Sequence, residues 1–152
     1  MKAMPMLRAA AAAAFAVVAA AFAPAAAQDA AETSAEAAGE TLLHSGSWTK
    51  PRRGYDASGT WSIVERDGSR YVVLSDDFRT QRAPDLKLFL SPQQPGDITG
   101  KNATDGAALI APLSSPRGGQ THEIPADIDL ASYTSIIIHC QKFSKIWSVA
   151  AL

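Results

Sequence analysis

The stretch that decides the fold is "SYTSIIIHCQKFSKIWSVAAL", Ser132 to Leu152. Two short apolar runs stand in it, read as strands over Ser135–Cys140 and Lys145–Ala150. Side chains alternate between the two sides of a strand. Ile136, Ile138 and Cys140 therefore share one face, and Ile137 and His139 the other. A strand that is apolar on both faces is expected at the centre of a sheet, covered from either side. If Ile136 and Ile138 meet the core, so does Cys140, at the strand's end.

Working back along the chain, the same texture recurs. Short apolar runs alternate with turn residues, the pattern of an all-β protein. Strands are expected near Thr41–Trp48, Ser58–Arg66, Arg70–Ser75, Leu86–Leu90, Ala107–Pro112 and Gln120–Ile124. Asp67-Gly68 in "RDGS" separates two of these runs, a strong hairpin signal. "SPQQPGDITGKNATDG", Ser91 to Gly106, reads as a long polar loop, and "SSPRGGQ" as a turn. "ADIDLASY" has room for one helical turn capped by Asp127 or Asp129. About eight strands without sustained helical periodicity predict a single antiparallel β-sandwich or barrel.

The N-terminal end has a different character. Lys2 and Arg8 precede an apolar run, Ala9 to Ala23, and then small residues in "PAAAQDA". Basic, apolar and small, in that order, is the layout of a secretory signal peptide, with cleavage expected after Ala27. The alternative is a retained anchor, but the run falls short of the roughly 20 apolar residues of a spanning helix. Residues 28–42 read as an Ala/Glu-rich disordered linker, with too little large apolar surface to bury itself. The folded domain is expected over 43–152. These features predict a periplasmic or secreted protein with no stable membrane insertion after cleavage. From Gln28 onward, 12 basic and 15 acidic residues give a formal charge of −3. That balance argues against nucleic acid, which demands a basic face.

Cys140 is the only cysteine. Export places a chain where disulfides persist, yet one thiol closes none internally. It is either a reactive or intermolecular thiol or a buried one that packs as a small apolar residue. Sequence motifs narrow the chemistry. A blue-copper site needs histidines and usually a methionine near the cysteine, and no His or Met follows Cys140. Cys-x-x-Cys-His for haem c, a Gly-x-Ser-x-Gly elbow and His-Glu-x-x-His do not occur. His44, His122, His139 and Cys140 have no metal-binding spacing, and adjacent strand residues such as His139 and Cys140 point apart. No cofactor is evident and no metal is expected. The acidic pairs Asp76/Asp77 and Asp127/Asp129 read as solvated turns. "NAT" at Asn102 is a glycosylation sequon, expected to go unused behind a leader of bacterial type. Trp48, Tyr55, Trp61, Tyr71, Phe78 and Trp147 either build a ligand platform or pack the core, and core packing is the expectation.

Ordered motifs carry a resemblance. Ser58-Gly59-Thr60, Asp77-Phe78, Pro84-Asp85-Leu86, Ile124-Pro125, Tyr133, Cys140, Phe143 and the final Ala150-Ala151-Leu152 follow one another as in the DM-thirteen domain. The resemblance covers about Leu43 to Leu152. It implies an all-β extracellular or periplasmic domain, often found with DOMON and cytochrome b modules. It also implies an electron-transfer role for the cysteine at position 140 and a membrane cytochrome or DOMON-type redox partner. The residue before that cysteine is usually aromatic in such domains. Here it is His139, which sets a titratable group next to the thiol and makes it a candidate modulator.

Two functions follow. One is an exported redox module that transfers electrons or exchanges thiols through Cys140, which a single thiol does through sulfenic acid or a mixed disulfide. The other is a non-enzymatic binding or assembly module of the cell envelope, with Cys140 as a packed core residue. An enzyme is the less expected of the classes.

Overall fold

A computed structural model describes residues 39–51 and 55–152. The expected signal peptide and most of the expected linker lie outside the described residues. Ten strands lie among the described residues: β1 Glu40–Ser47, β2 Ala57–Ser58, β3 Thr60–Arg66, β4 Ser69–Leu74, β5 Arg79–Thr80, β6 Leu86–Ser91, β7 Ala108–Pro112, β8 Gln120–Ile124, β9 Ser135–Cys140 and β10 Lys145–Ala151. Two four-stranded antiparallel sheets run in the orders β1-β3-β4-β8 and β10-β9-β6-β7, with β2 and β5 as a small extra pair. The sheets do not close into a barrel, so of the two expected all-β architectures the sandwich is the one formed.

Alternation fixes which residues fill the space between the sheets. Trp61 and Ile63 of β3, Val72 and Leu74 of β4 and Ile124 of β8 face inward from one sheet. Leu86, Leu88 and Leu90 of β6 and Ile136, Ile138 and Cys140 of β9 face them from the other. Fully burying each large aliphatic side chain contributes about 1.5–3 kcal/mol, so this layer is the main stabilising element. β9 is central: it pairs with β6 from Leu86↔Cys140 to Ser91↔Ser135 and with β10 on its other side.

The outer face of β9 is not left to solvent. Ile137 joins Phe89, Ile146, Val149, Ile98 and Ala103 in a second buried cluster. Ile98 and Ala103 come from the segment between β6 and β7, expected from sequence to be merely a polar loop. Its polar side chains instead fold it into a cover. Asn102 Nδ2 donates to Gln93 Oε1 at 2.9 Å and to the Asp97 carbonyl at 3.0 Å, while its Oδ1 accepts from the Thr99 amide at 2.6 Å. Gln93 Nε2 closes the ring on the Asn102 carbonyl at 2.7 Å.

Two local expectations hold in detail. Asp67 (φ 49°) and Gly68 (φ 79°) both take positive φ between β3 and β4, as a tight twisted hairpin requires. Leu130–Ser132 forms one 3₁₀ turn, and of the two expected caps it is Asp129 that accepts from the Ala131 amide at 3.1 Å. Two expectations change. β1 begins at Glu40, one residue before the strand expected from Thr41, and the Glu40 carboxylate pairs with Arg66. The two-residue β5 was not anticipated; it exists because Ser58 and Ala57 lie opposite Arg79 and Thr80.

Candidate functional site

Cys140 ends β9 with no exposed surface. Its Cα partners are Leu86 on β6 and Lys145 on β10. Its face of the strand is the one shared with Ile136 and Ile138, and it belongs to the main core with Leu86 and Trp147. The basic residues that lie near it in sequence, Lys142 and Lys145, are both exposed.

His139 takes the opposite face, as alternation demands, so the strand itself separates imidazole from sulfur. The ring meets Phe89 edge-on, centroids 6.1 Å apart at 77°. Nε2 donates to the Gly100 carbonyl at 3.1 Å. A carbonyl can only accept, so the proton sits on Nε2, and Nδ1 is buried without a partner. Burial holds the His139 pKa below the usual imidazole value, opposed in part by the Gly100 hydrogen bond and the Asp85 charge. The contact has a steric counterpart. A Cβ at Gly100 would overlap the Ser144 carbonyl, so only glycine lets the covering loop reach the turn after β9.

That turn, Gln141–Phe143 with Ser144 left-handed at φ 48°, presents Phe143 outward at 54 % exposure. The Gln141 amide donates to the Asp85 carbonyl at 3.0 Å, and Lys87 bonds the Gln141 side chain. Beside the turn lies a surface depression lined by Tyr55, Arg82, Pro84, Phe143, Lys145 and Trp147 among others. Tyr55 stacks on Trp147, ring centroids 3.9 Å apart, and the Trp147 indole N–H donates to the Gln81 carbonyl at 3.1 Å.

The candidate aromatics therefore divide. Trp48, Trp61 and Phe78 form a buried trio, with Trp48 6.3 Å from each of the others. Tyr71 lies under Arg66, on the sheet that also carries Trp61. Tyr55 and Trp147 alone reach the depression. Sequence reading did not find that grouping, because Tyr55, Arg82 and Trp147 come together only through strand pairing. Of the residues considered for metal binding, His139 and Cys140 lie on opposite faces of one strand. Among the described residues no group of three His, Cys, Asp or Glu side chains is close enough to hold a metal ion. No helix among them is long and apolar enough to cross a membrane.

Comparison with known proteins adds one finding. No curated protein and no solved structure matches the chain. A family model described as electron transfer DM13 matches residues 51–152, about two thirds of the 152 residues. The match takes in β2 to β10 and the buried cysteine, and this chain belongs to the electron transfer DM13 family.

Proposed function

We propose that this chain is a binding module of an electron-transfer assembly in the cell envelope, acting through its surface, with Cys140 as a packed core residue. The leader delivers it to the periplasm or the exterior, and a membrane cytochrome or a DOMON-type protein is its class of partner. One observation carries this reading: the only cysteine has no exposed surface and faces the aliphatic interior. A thiol reacts as its thiolate, which needs access and nearby positive charge. Access is not on offer at Cys140, which has no exposed surface.

Alkylation of the folded chain tests it. Iodoacetamide is expected to leave native Cys140 unmodified and to label it only as denaturant unfolds the protein. Labelling of the native chain at the rate of a free thiol, rising with pH, overturns the reading.

A second reading is favoured by the place of Cys140 as the last residue of β9, directly before a turn. Fraying there uncovers the sulfur. In that state the thiolate attacks one sulfur of a partner disulfide. The partner's S–S bond breaks, a mixed disulfide forms, and the other partner sulfur leaves as a thiolate that takes up a proton. Mass spectrometry of the native chain with oxidised glutathione separates the two: adduct formation under native conditions supports exchange, and its absence supports packing.

A further inference from the structure

The depression beside the β9–β10 turn has a volume of about 460 Å³. Three aromatics line it: Tyr55 stacked on Trp147, and Phe143. Its charges are cationic. Arg82 and Lys145 line it, both are exposed, and neither has an ion-pair partner among the described residues. The carboxylates nearest in sequence are already engaged. Asp56 pairs with Lys50 at 3.1 Å, and Asp85 pairs with Lys87 at 3.2 Å. Two uncompensated cations therefore border an apolar concavity.

The aromatic wall is also held in place. Among the described residues Phe143 is the one exposed aromatic of the large exposed apolar residues, the others being Leu42, Leu43 and Leu109. Its turn is tied on one side by the Gln141 amide to Asp85 and braced on the other by Gly100 against Ser144. A backbone held in this way keeps Phe143 at the surface, and a preformed wall reduces the ordering cost of binding.

We propose that this depression binds a small planar aromatic anion. Its ring lies against Phe143 and Tyr55, and its carboxylate or sulfonate meets Arg82 and Lys145. The volume is within the usual range of small-molecule sites, about 300–1,000 Å³. A neutral ring would use the aromatic wall and waste the cations. An aliphatic acid would do the reverse. An extended acidic peptide would reach the cations without filling the concavity. Binding asks nothing of Cys140, whose sulfur faces the interior, so the site stands apart from both readings of the thiol.

Naphthoate is a suitable probe, titrated into isotope-labelled protein and followed by heteronuclear NMR at low salt. Saturable shifts are expected at Tyr55, Arg82, Phe143, Lys145 and the Trp147 indole, with a Kd below about 1 mM. Naphthylmethanol, the neutral analogue, is expected to bind at least about tenfold more weakly. Phe143→Ser, Arg82→Gln and Lys145→Gln should each weaken naphthoate by roughly threefold or more while the remaining spectrum stays native. These three side chains are exposed, so their loss spares the fold. Absence of saturable shifts overturns the proposal. Equal affinity for naphthylmethanol reduces the site to an apolar patch and overturns it too. Tighter binding of an oligoglutamate peptide than of naphthoate overturns it in favour of an acidic protein surface.

Discussion

At Cys140 the packing makes a graded prediction. Replacing the sulfur by hydrogen in Cys140→Ala leaves a small cavity, expected to cost about 1 kcal/mol. Cys140→Ser buries a hydroxyl where the main core offers aliphatic neighbours, expected to cost about 1–3 kcal/mol. Denaturant unfolding of the two variants should therefore place Ser below Ala; the reverse order would mean that water or a polar partner reaches the site. One residue earlier the sign of a pH effect is fixed. His139 is held neutral by burial, with a pKa lowered in the fold. The unfolded chain takes up the proton first, so the contribution of this group is complete above about pH 6.5 and is lost as pH falls below it. Asp85 and the cross-strand neighbour Lys87 are the charges that face this end of β9. Unfolding free energy measured between neutral and mildly acidic pH should decline with acidification. His139→Phe should make that decline shallower without abolishing it, because burial lowers the pKa of His122 in the same direction. At this scale the sequence was informative: alternation alone assigned Cys140 and His139 to opposite faces. It could not say that an imidazole nitrogen would meet Gly100, thirty-nine positions away.

Among the elements, the strands with strong alternating or continuous apolar runs were legible to the residue. β8 and β9 lie where the sequence placed them, Gln120–Ile124 and Ser135–Cys140. β5 was not, since two residues carry no period and are held by β2, a bridge from Arg79 to Arg117 and the Thr80 hydroxyl on the Asp56 carbonyl. The Ser91–Gly106 segment is the loop expected, but its role as a cover was not legible, for a related reason. Only Ile98 and Ala103 of it are apolar and buried, and its order comes from the hydrogen bonds of Asn102 and Gln93. Two variants test that cover. Gly100→Ala places a methyl on the Ser144 carbonyl, and relief of such overpacking is expected to cost about 1–3 kcal/mol. Amide exchange of Gln141 to Lys145 should quicken in this variant. Asn102→Ala leaves the Thr99 amide and the Gln93 side chain without their partner, and should cost about 1–3 kcal/mol. Exchange should then quicken across the loop and on β9 beneath it, with the inter-sheet core left protected.

For the whole molecule, the order of strands within the sheets joins distant parts of the chain. β6 lies beside β9 although some fifty residues separate Leu86 from Cys140. Thr49 bridges Val149 across the edge between the two sheets. Sandwiches built on such pairings close long loops before they gain contacts, and typically fold in milliseconds to seconds. Refolding followed by tryptophan fluorescence should occupy that range. Topology of this kind is the part of the fold that composition and periodicity do not encode, and the aromatic, cationic depression is a product of it. The covering loop has one more consequence, for production of the protein. Asn102 heads an Asn-Ala-Thr triplet, and its amide nitrogen is already committed to Gln93 and Asp97. Oligosaccharide transfer in a yeast or mammalian host would reach that nitrogen before the chain folds, and the sugar would then hold the cover off β9. A bacterial host, or an Asn-to-Gln exchange checked for lost stability, is the safer route to homogeneous material.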